Sequence, residues 1–584
     1  MMDFINISGM EKEIVIVSFF LFIGLLISNK IKPVILFFGL LTFYYLCGLL
    51  PTKGFLGNFT NESLITLVLL LLVSVALEKI YLIAKVAPFI VSGGSPRFAL
   101  LKLSVIATFL SAFLNNTAVV AMLMGTLKSQ KKVFPSKLLI PLSYFAILGG
   151  TLTLIGTSTN LVVNSFVMDA GLKSLQMFDF FIVGAGIAVV GTLVMVLLAP
   201  RLLPEVPMET SYSAEYFLEA KVMDDSLLRN KTVYQNGLRN LESLFLAEIL
   251  RGDHLISPVS PETIVEAGDI LVFTGNIADV EMLKQYHGLQ IYKDKAAAAE
   301  SNLVEAVVSH DSTLLGQTIK EADFRSKFDA SVVALRRGDE KISGKIAKKI
   351  LEAGDILVLA VGQDFYKRSN IKKNFYIVSG IETKNQLSIP QGKIALGAFI
   401  LVVALSAIGL FSLLKGLLLL MGLYLLLGFI GLAEMKRLFP FDLVIIIGSA
   451  LGIASTLSET GVAMDLSHFI LTVFSPFGTY GSFIGVFLLT MIMTEFMTNN
   501  AAAALTFPIA MATATTLGVS PWPFIMAVAY GASASFISPY GYQTNLMVYS
   551  VGGYSLKDFL KIGLPVSLGY AVVALVLIPM VFPF

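Results

Sequence analysis

Four polar clusters interrupt otherwise apolar stretches of this chain. Residues 113–117 (Phe-Leu-Asn-Asn-Thr) and 497–501 (Met-Thr-Asn-Asn-Ala) each contain a pair of asparagines. Further along come residues 156–160 (Gly-Thr-Ser-Thr-Asn) and 541–545 (Gly-Tyr-Gln-Thr-Asn). The asparagine pairs are 384 residues apart (499 minus 115), and the later clusters are 385 residues apart (545 minus 160). Asn and Thr within membrane helices often only hold neighbouring helices together, but a nearly constant offset predicts one duplicated site.

The residue types in these clusters are suited to binding ions. A broken helix exposes unpaired amides at one half and unpaired carbonyls at the other, which provides anion and cation sites close together. Asn and Thr add neutral donors and oxygen ligands, and none of the four clusters contains Lys or Arg. The charge of a bound anion must then be balanced by helix ends and by cations such as Na+. The pattern therefore predicts the substrate and ion site of a secondary transporter.

One carboxylate, Glu495, lies within an apolar stretch, four residues before Asn499. The offset of 384 pairs it with Ser111. A carboxylate inside a membrane is unfavourable, and is by default a functional candidate. Three roles remain open for Glu495: a cation ligand, a proton carrier, or a structural acceptor that caps a neighbouring helix.

The composition sets the class of protein. Of 584 residues, 56% are hydrophobic and only 14% are charged, which is typical of a polytopic membrane protein. The net charge of +2 and the absence of a basic run give no indication of nucleic-acid binding. The single cysteine, Cys47, and four scattered histidines predict neither disulfides nor a thiol or histidine metal site. No catalytic constellation can be assembled, so we expect neither an enzyme nor an organic cofactor.

The apolar stretches that must position the clusters follow the same order in both halves. Each half is predicted to have three helices, a long apolar stretch broken in its middle, an interrupted helix and a last helix. The predicted ranges are 14–28, 34–50, 64–77, 98–127, 138–168 and 180–198, and then 394–410, 413–432, 443–457, 482–513, the interruption at 541–545, and 562–580. A stretch broken in its middle predicts a re-entrant hairpin, whose tip must be buried in protein or line a wet cavity.

The basic residues predict the orientation. Lys30, Lys32, the segment 79–102, the loop 128–137 and Arg201 all fall on one side of these helices, which is expected to be cytoplasmic. Both termini are then extracytoplasmic, residues 204–385 are cytoplasmic, and the protein is a multi-pass protein of the plasma membrane. The second half starts inside, so the halves are predicted to be inverted repeats with a binding site near the midplane.

Residues 204–385 are ordinary soluble sequence and contain a second duplication. Residues 265–270 match residues 351–356, and residues 251–253 match residues 337–339, both at an offset of 86. Each unit is predicted to contain a short helix, β-branched strands and Gly-Asp turns. The expected domains are the first membrane repeat (1–203), two insert units (204–291 and 292–385) and the second membrane repeat (386–584).

The two asparagine clusters resemble the hairpin tips of the divalent anion:sodium symporters, in particular the sulfate-type branch. Three departures are that Asn115 and Asn499 replace a tip serine, that Ala501 replaces a threonine, and that Glu495 replaces a hydroxyl residue. The resemblance implies a homodimer in a lipid membrane with an elevator motion. It implies substrate contacts at Asn116, Thr117, Ser158, Thr159, Asn500, Gln543 and Thr544. It implies sodium contacts at Ser111, Asn115, Asn116, Gly156, Asn160, Glu495, Asn499, Asn500, Gly541 and Asn545.

The insert units resemble the C-terminal regulatory subdomain of potassium-transport regulators (RCK_C-like). This resemblance implies pairing of such units and regulation by a small molecule or nucleotide, although no glycine-rich dinucleotide fingerprint lies beside them. A potassium channel is disfavoured, because no Thr-Val-Gly-Tyr-Gly filter is present. Two alternatives to sodium-coupled sulfate symport stay open. One is a sodium- or proton-coupled dicarboxylate or citrate transporter, and the other is a sodium/proton antiporter or arsenite-type permease with Glu495 as proton carrier.

Overall fold

The computed structural model describes residues 10–584 except for short internal segments. The gaps are 29–30, 80–89, 91–94, 130–131, 207–216, 239–240, 242–243, 253, 257, 276–282, 284, 293–302, 310–311, 339, 343–345, 363, 366–367, 369 and 380–386. Lys30, the aspartates 253 and 339 of the predicted turns, and the domain boundary at 385 therefore lie outside the described residues.

The described residues of the first half form helices and the loops between them. The α-helices with described bounds are α1 (Glu11–Ser28), α2 (Pro33–Leu46), α3 (Thr52–Asn58), α4 (Glu62–Glu78), α5 (Pro96–Ser111), α6 (Asn116–Ser129), α7 (Leu139–Gly150), α8 (Ser158–Asp169) and α9 (Phe181–Leu202). The predicted breaks are present: α5 and α6 form a hairpin around residues 112–115, and residues 151–157 separate α7 from α8.

The second half repeats this succession of elements. After the insert come α12 (Ile389–Ala407), α13 (Leu413–Leu426), α14 (Leu432–Leu438), α15 (Phe441–Glu459), α16 (Val462–Phe474), α17 (Gly478–Phe496), α18 (Asn499–Leu517), α19 (Trp522–Ala532), α20 (Gln543–Val551) and α21 (Leu556–Val581). Residues 497–498 form the second hairpin tip, and residues 533–542 form the second break. Helix α16 was not predicted from the sequence.

The halves pack against each other in a reciprocal way. Helix α18, which follows the second tip, packs on α8 beyond the first break, while α20, beyond the second break, packs on α6 and α7. Phe166 and Phe507 stack at this contact with ring centroids 5.2 Å apart. The long helices α9 and α21 also pack together. Each hairpin tip is thereby brought to the break of the opposite half.

Several helices are suited to a bilayer. Among the described residues, five are long and apolar enough to cross a membrane: Phe181–Leu202, Ile389–Ala407, Phe441–Glu459, Gly478–Phe496 and Leu556–Val581. At 1.5 Å per residue, a helix of about 20 residues spans the roughly 30 Å hydrocarbon core. The protein is therefore a mostly helical, multi-pass membrane protein.

The insert forms two five-stranded sheets with the same topology. The first contains β1 (Phe217–Val222), β2 (Leu244–Arg251), β3 (His254–Ile256), β4 (Ile270–Gly275) and β5 (Leu289–Tyr292), in the order β3-β2-β4-β1-β5. The second contains β6 (Leu303–Val308), β7 (Ala330–Arg337), β8 (Glu340–Ile342), β9 (Ile356–Val361) and β10 (Phe375–Ser379), in the order β10-β6-β9-β7-β8, with short helices α10 (Phe324–Phe328) and α11 (Ile371–Asn374). Every strand of the first sheet has its equivalent 86 residues later, and β5 ends one residue beyond the expected boundary at 291.

The predicted Gly-Asp turns are confirmed as structural features. Gly268 has a φ of +83° and Gly354 has a φ of +87°, a left-handed conformation that favours glycine. Asp269, which is fully buried, accepts hydrogen bonds from Arg251 at 2.8 Å and from the backbone of Glu266 at 2.8 Å. These bonds recur 86 residues later. The pKa of the Arg251 guanidinium is raised above its usual value, mainly by the hydrogen bond with Asp269.

Candidate functional site

The register of the duplicated site is set at the hairpin tips. Helix α6 begins at Asn116 and helix α18 begins at Asn499, an offset of 383 (499 minus 116) rather than the 384 that the paired asparagines predict. Asn115 is then equivalent to Thr498, and both act as helix caps. Asn115 Oδ1 accepts from the Thr117 backbone at 3.0 Å, and Thr498 Oγ1 accepts from the Ala501 backbone at 3.4 Å. Asn115 thus faces its own helix.

One end of the Asn116 amide faces a group of oxygens. That end lies 2.6 Å from Ser111 Oγ and 3.2 Å from the carbonyl oxygens of both Ala146 and Gly156. The other end lies 2.7 Å from the hydroxyl of Tyr542. Ser111 is fully buried and Asn116 is nearly so, so the group is shielded from water.

Asn499 faces an equivalent group in the second half. One end of its amide lies 2.8 Å from Thr494 Oγ1, 3.2 Å from the Gly541 carbonyl oxygen and 3.3 Å from the Ala532 carbonyl oxygen. Thr494 is therefore the equivalent of Ser111, whereas the sequence offset pairs Ser111 with Glu495. These two oxygen groups contain the same kinds of ligand: an asparagine, a hydroxyl five residues before it, one carbonyl in the helix before the break and one carbonyl in the break.

These groups give each asparagine two possible states. The oxygen and nitrogen of an amide are distinguished by their hydrogen-bond partners. With its nitrogen toward the group, the two N–H bonds of Asn116 have three acceptor oxygens within reach, and its oxygen accepts from Tyr542. With its oxygen toward the group, four oxygens converge, and their partial negative charges need a cation between them. Hard cations prefer oxygen ligands. The Asn116 amide can therefore face the group with its nitrogen when no cation is bound and with its oxygen when a cation is bound.

Glycine permits this close approach of tip and break. A Cβ on Gly150 would lie 2.6 Å from Asn116 Oδ1, and a Cβ on Gly156 would lie 2.6 Å from the Gly150 carbonyl oxygen. Both distances are below van der Waals contact, so a larger residue at position 150 would push the tip away, and one at position 156 would push the break away from the end of α7. Gly150 and Gly156 therefore let the tip, the break and α7 approach closely.

Between the two oxygen groups, tip and break residues of opposite halves form two reciprocal pairs. Thr117 Oγ1 donates to Gln543 Oε1 at 3.1 Å, and Ser158 Oγ donates to Asn500 Oδ1 at 3.3 Å. Thr117 and Asn500 directly follow the asparagines of the two oxygen groups, and Ser158 and Gln543 begin the helices after the two breaks. All four side chains are half-buried, as is Asn499, whereas Ser111, Asn116 and Thr494 are buried. They provide hydroxyl and amide donors without a fixed charge.

Tyr542 is a site residue that sequence reasoning missed. Its hydroxyl lies 2.7 Å from the Asn116 amide and 3.4 Å from Thr157 Oγ1, and it also interacts with Asn499. It belongs to the second half, where it occupies the position of Thr157 in the duplicated cluster. The sequence does show that Gly-Tyr replaces Gly-Thr in an otherwise similar cluster. It does not show that the tyrosine side chain points toward the opposite half.

Glu495 makes the contacts expected of the third of its three predicted roles, that of a structural acceptor. Its carboxylate accepts from the backbone amides of Phe536 and Ile537 at 3.0 Å and of Ser538 at 3.1 Å. Ser535 Oγ also donates to it at 3.3 Å. Amides of the second break that no helix satisfies are thus paired with a charged acceptor. The equivalent residue in the first half, Ala112, has no carboxylate.

The remaining residues of the predicted site hold the breaks in shape. Asn160 donates to the Thr153 carbonyl at 2.9 Å, and Asn545 donates to the Ser535 carbonyl at 3.1 Å. Thr544 Oγ1 accepts from Ser143 at 2.9 Å. Its equivalent, Thr159, is buried, and its hydroxyl has no hydrogen-bond partner among the described residues. Asn160 and Asn545 therefore act on the backbone around the oxygen groups.

A cleft gives access to the first half of the site. It lies between α4, which contributes Leu70 and Ser74, and the first tip and break, which contribute Asn115, Gly156 and Ser158. Its lining is mixed, with apolar and polar residues from both sides. Ser158, which pairs with Asn500, therefore borders this cleft.

Comparisons with known proteins give consistent results. A family model described as "Citrate transporter" matches residues 22–529. A Chlamydomonas reinhardtii protein whose name refers to a sulfur deprivation response is 30% identical over 95% of this chain and 98% of its own length. An uncharacterized transporter of Synechocystis sp. is 29% identical over 88% of each chain. "Sodium/sulfate cotransporter 1" of Chlamydomonas reinhardtii is 28% identical over 62% of this chain and 42% of its own length.

Proposed function

Because the chain belongs to the citrate transporter family and is therefore a secondary transporter rather than an enzyme, we propose that it carries a divalent oxyanion into the cell together with sodium ions. Sulfate is the favoured substrate. The single observation that carries this proposal is the pair of equivalent oxygen groups at the two hairpin tips, separated by neutral hydrogen-bond donors.

Sodium coupling is supported by the composition of the oxygen groups. The first sodium ion binds at Ser111, Asn116 and the carbonyls of Ala146 and Gly156. The second binds at Thr494, Asn499 and the carbonyls of Ala532 and Gly541. All of these ligands are neutral, so two bound cations bring two positive charges into the site. That charge compensates a divalent anion, which is why the anion would not bind well without sodium.

Binding of an oxyanion is supported by the residues between the two sodium positions. Thr117, Ser158, Asn500 and Gln543 provide hydroxyl and amide donors, and the Thr159 hydroxyl, which has no hydrogen-bond partner in the described part of the chain, is available as a further donor. A small tetrahedral anion offers acceptor oxygens in several directions, which suits donors that converge from both halves. The name of the sodium/sulfate cotransporter relative is consistent with sulfate.

The transport motion follows from the architecture. The two halves are inverted repeats with re-entrant hairpins, as the matching succession of elements and the reciprocal contacts support. The protein is a homodimer in the plasma membrane, and it moves its site across the bilayer by an elevator motion. The insert lies in the cytoplasm, where its two units regulate transport, and both termini are extracytoplasmic.

Citrate or another dicarboxylate is the second candidate substrate, and the description of the matching family favours it. A larger dianion would need the two donor pairs to separate further than sulfate requires. The antiporter alternative is less well supported. Glu495, its expected proton carrier, accepts three backbone hydrogen bonds from the second break, so its carboxylate is already engaged in holding the backbone there.

The test is uptake of radiolabelled sulfate into proteoliposomes, with an inward sodium gradient compared with an inward proton gradient at matched potential. We expect sodium-driven uptake that is lost in Asn116→Ala and in Asn499→Ala. The matched control is Thr515→Ala, an exposed position on the same helix as Asn499. Uptake driven by protons alone would contradict the sodium sites. Uptake of citrate or succinate, but not of sulfate, would show that the transported anion is a dicarboxylate or citrate, carried by the same mechanism.

A further inference from the structure

The second insert unit contacts the helix that begins at the proposed substrate site. Gln543, the first residue of α20, donates from Nε2 to the hydroxyl of Tyr376 in β10. Ser309, at the end of the adjacent strand, also donates to this hydroxyl at 3.2 Å. The other end of the Gln543 amide accepts from Thr117. Tyr376 of the insert is therefore hydrogen-bonded directly to the Thr117–Gln543 pair of the proposed transport site.

The same unit holds the other end of this helix. The guanidinium of Arg336 donates to the carbonyl of Ser550, and the backbone amide of Gly338 donates to Ser550 Oγ at 3.3 Å. Carbonyls in the last turn of a helix lack partners within the helix, so a cation at this end is a stabilising contact. Helix α20 is thus held by the insert at its first residue and in its last turn.

An ion pair connects the unit to the first hairpin as well. Lys128, in the last turn of α6, pairs with Glu305 in β6. The Glu305 side chain is 4% exposed and that of Lys128 is 17% exposed, so the pair is largely removed from water. Breaking a buried pair leaves an uncompensated charge, which is strongly destabilising. The unit is therefore fixed both to α6, which carries Thr117, and to α20, which carries Gln543.

The first insert unit has the same fold but differs at several of these docking positions, although Glu219 is equivalent to Glu305. At the equivalent positions, 86 residues earlier, Gln290 replaces Tyr376 and Leu250 replaces Arg336. A Cβ on Gly354 would lie 2.8 Å from Leu546 Cδ1, and the equivalent Gly268 has nothing within 4 Å. The two units have therefore diverged, and the membrane-facing residues belong to the second.

We infer that the second insert unit is an inhibitory clamp in which the Tyr376 hydroxyl competes with the transported anion for Gln543. This inference rests on the proposed function. In the docked state the Gln543 amide nitrogen donates to Tyr376, and the Thr117 hydroxyl donates to Gln543, so both donors of this pair are occupied. Binding of an oxyanion requires these donors to turn toward it, and the Tyr376 contact opposes that change.

The first test is the KM for sulfate in Tyr376→Phe, which removes the competing oxygen and retains the ring. We expect KM to fall about fivefold, the equivalent of one net hydrogen bond. The matched control is Gln290→Ala in the first unit, where the side chain is exposed, and its KM should equal that of the unaltered protein. An unchanged or increased KM in Tyr376→Phe would overturn the clamp, since a purely structural role predicts weaker binding.

The second test measures docking without transport, by amide hydrogen exchange in the full chain. Gly354→Ala and Gly268→Ala introduce the same backbone strain, but only the former meets Leu546. We expect faster exchange across Gln543–Val551 in Gly354→Ala and no change there in Gly268→Ala. Equal exchange in both variants would exclude docking.

Charge reversal tests the ion pair with the same measurement. Lys128→Glu or Glu305→Lys should accelerate exchange across Gln543–Val551, and the double variant should restore it. If the double variant exchanges as fast as the single ones, the pair does not hold the clamp. If no sulfate is carried by any variant, the proposed substrate is wrong, and the exchange experiments still decide whether the unit docks.

Discussion

The hydroxyl of Tyr542 lies 2.7 Å from the amide of Asn116, although the two residues belong to opposite halves of the protein. The same hydroxyl lies 3.4 Å from Thr157 Oγ1. Because Tyr542 directly follows Gly541, whose carbonyl faces Asn499, a single residue connects the two oxygen groups. We therefore expect occupation of one group to be coupled to the conformation of the other.

Replacement of Tyr542 by phenylalanine tests this coupling. The Asn116 amide would lose a buried partner, which costs about 1–3 kcal/mol, so the apparent sodium affinity should fall about tenfold. The Hill coefficient for sodium should fall as well, because the two groups are no longer connected. Sodium dependence of uptake measures both. Tyr540→Phe is the control, since Tyr540 is 63% exposed; an equal effect there would contradict the role of the Tyr542 hydroxyl.

Adjacent asparagines at the first tip should respond differently to the same substitution. Asn115→Thr reproduces the cap that Thr498 provides at the second tip, so uptake should be retained. Asn116→Thr shortens the side chain that faces the oxygen group, so sodium-driven uptake should be lost. Uptake by the two variants, normalised to the amount of protein in the membrane, distinguishes them. Loss of uptake in Asn115→Thr would indicate that Asn115 is a sodium ligand, as the family resemblance implies.

Removing the charge of Glu495 should affect stability more than coupling. In Glu495→Gln one carboxylate oxygen is replaced by an NH2 group that faces backbone donors, and loss of charged hydrogen bonds costs about 1.5–3 kcal/mol each. We expect a lower Tm for the purified protein and an unchanged sodium dependence in the fraction that stays folded. An unchanged Tm together with loss of sodium or proton coupling would show that the carboxylate takes part in transport.

Matched arginines in the insert separate folding from docking. Arg251 and Arg337 each pair with an aspartate that is fully buried, so replacing either with leucine leaves a carboxylate without its partner. Hydrogen exchange should accelerate across β2 in Arg251→Leu and across β7 in Arg337→Leu, by similar factors. Only Arg337→Leu should also accelerate exchange across α20. Acceleration across α20 in both variants would mean that the two units do not differ in docking.

Much of this protein is determined by local sequence. Apolar composition predicted the membrane class, and the polar clusters predicted where two hairpins and two helices break, because polar residues in a long apolar stretch can be accommodated only where the backbone leaves the helix or faces protein. The duplication of the insert was equally readable, since no residue is gained or lost between its units and the strands follow at an offset of 86.

Tertiary structure decided what the individual side chains do. A shift of one residue turns a helical side chain by about 100°, so the offset of 383 rather than 384 exchanges Asn115 for Asn116 and Glu495 for Thr494 at the oxygen groups. The contacts of Tyr542 with Asn116 and of Tyr376 with Gln543 join residues hundreds of positions apart or from different domains. No local pattern encodes such contacts, because they depend on how the two halves and the insert pack together.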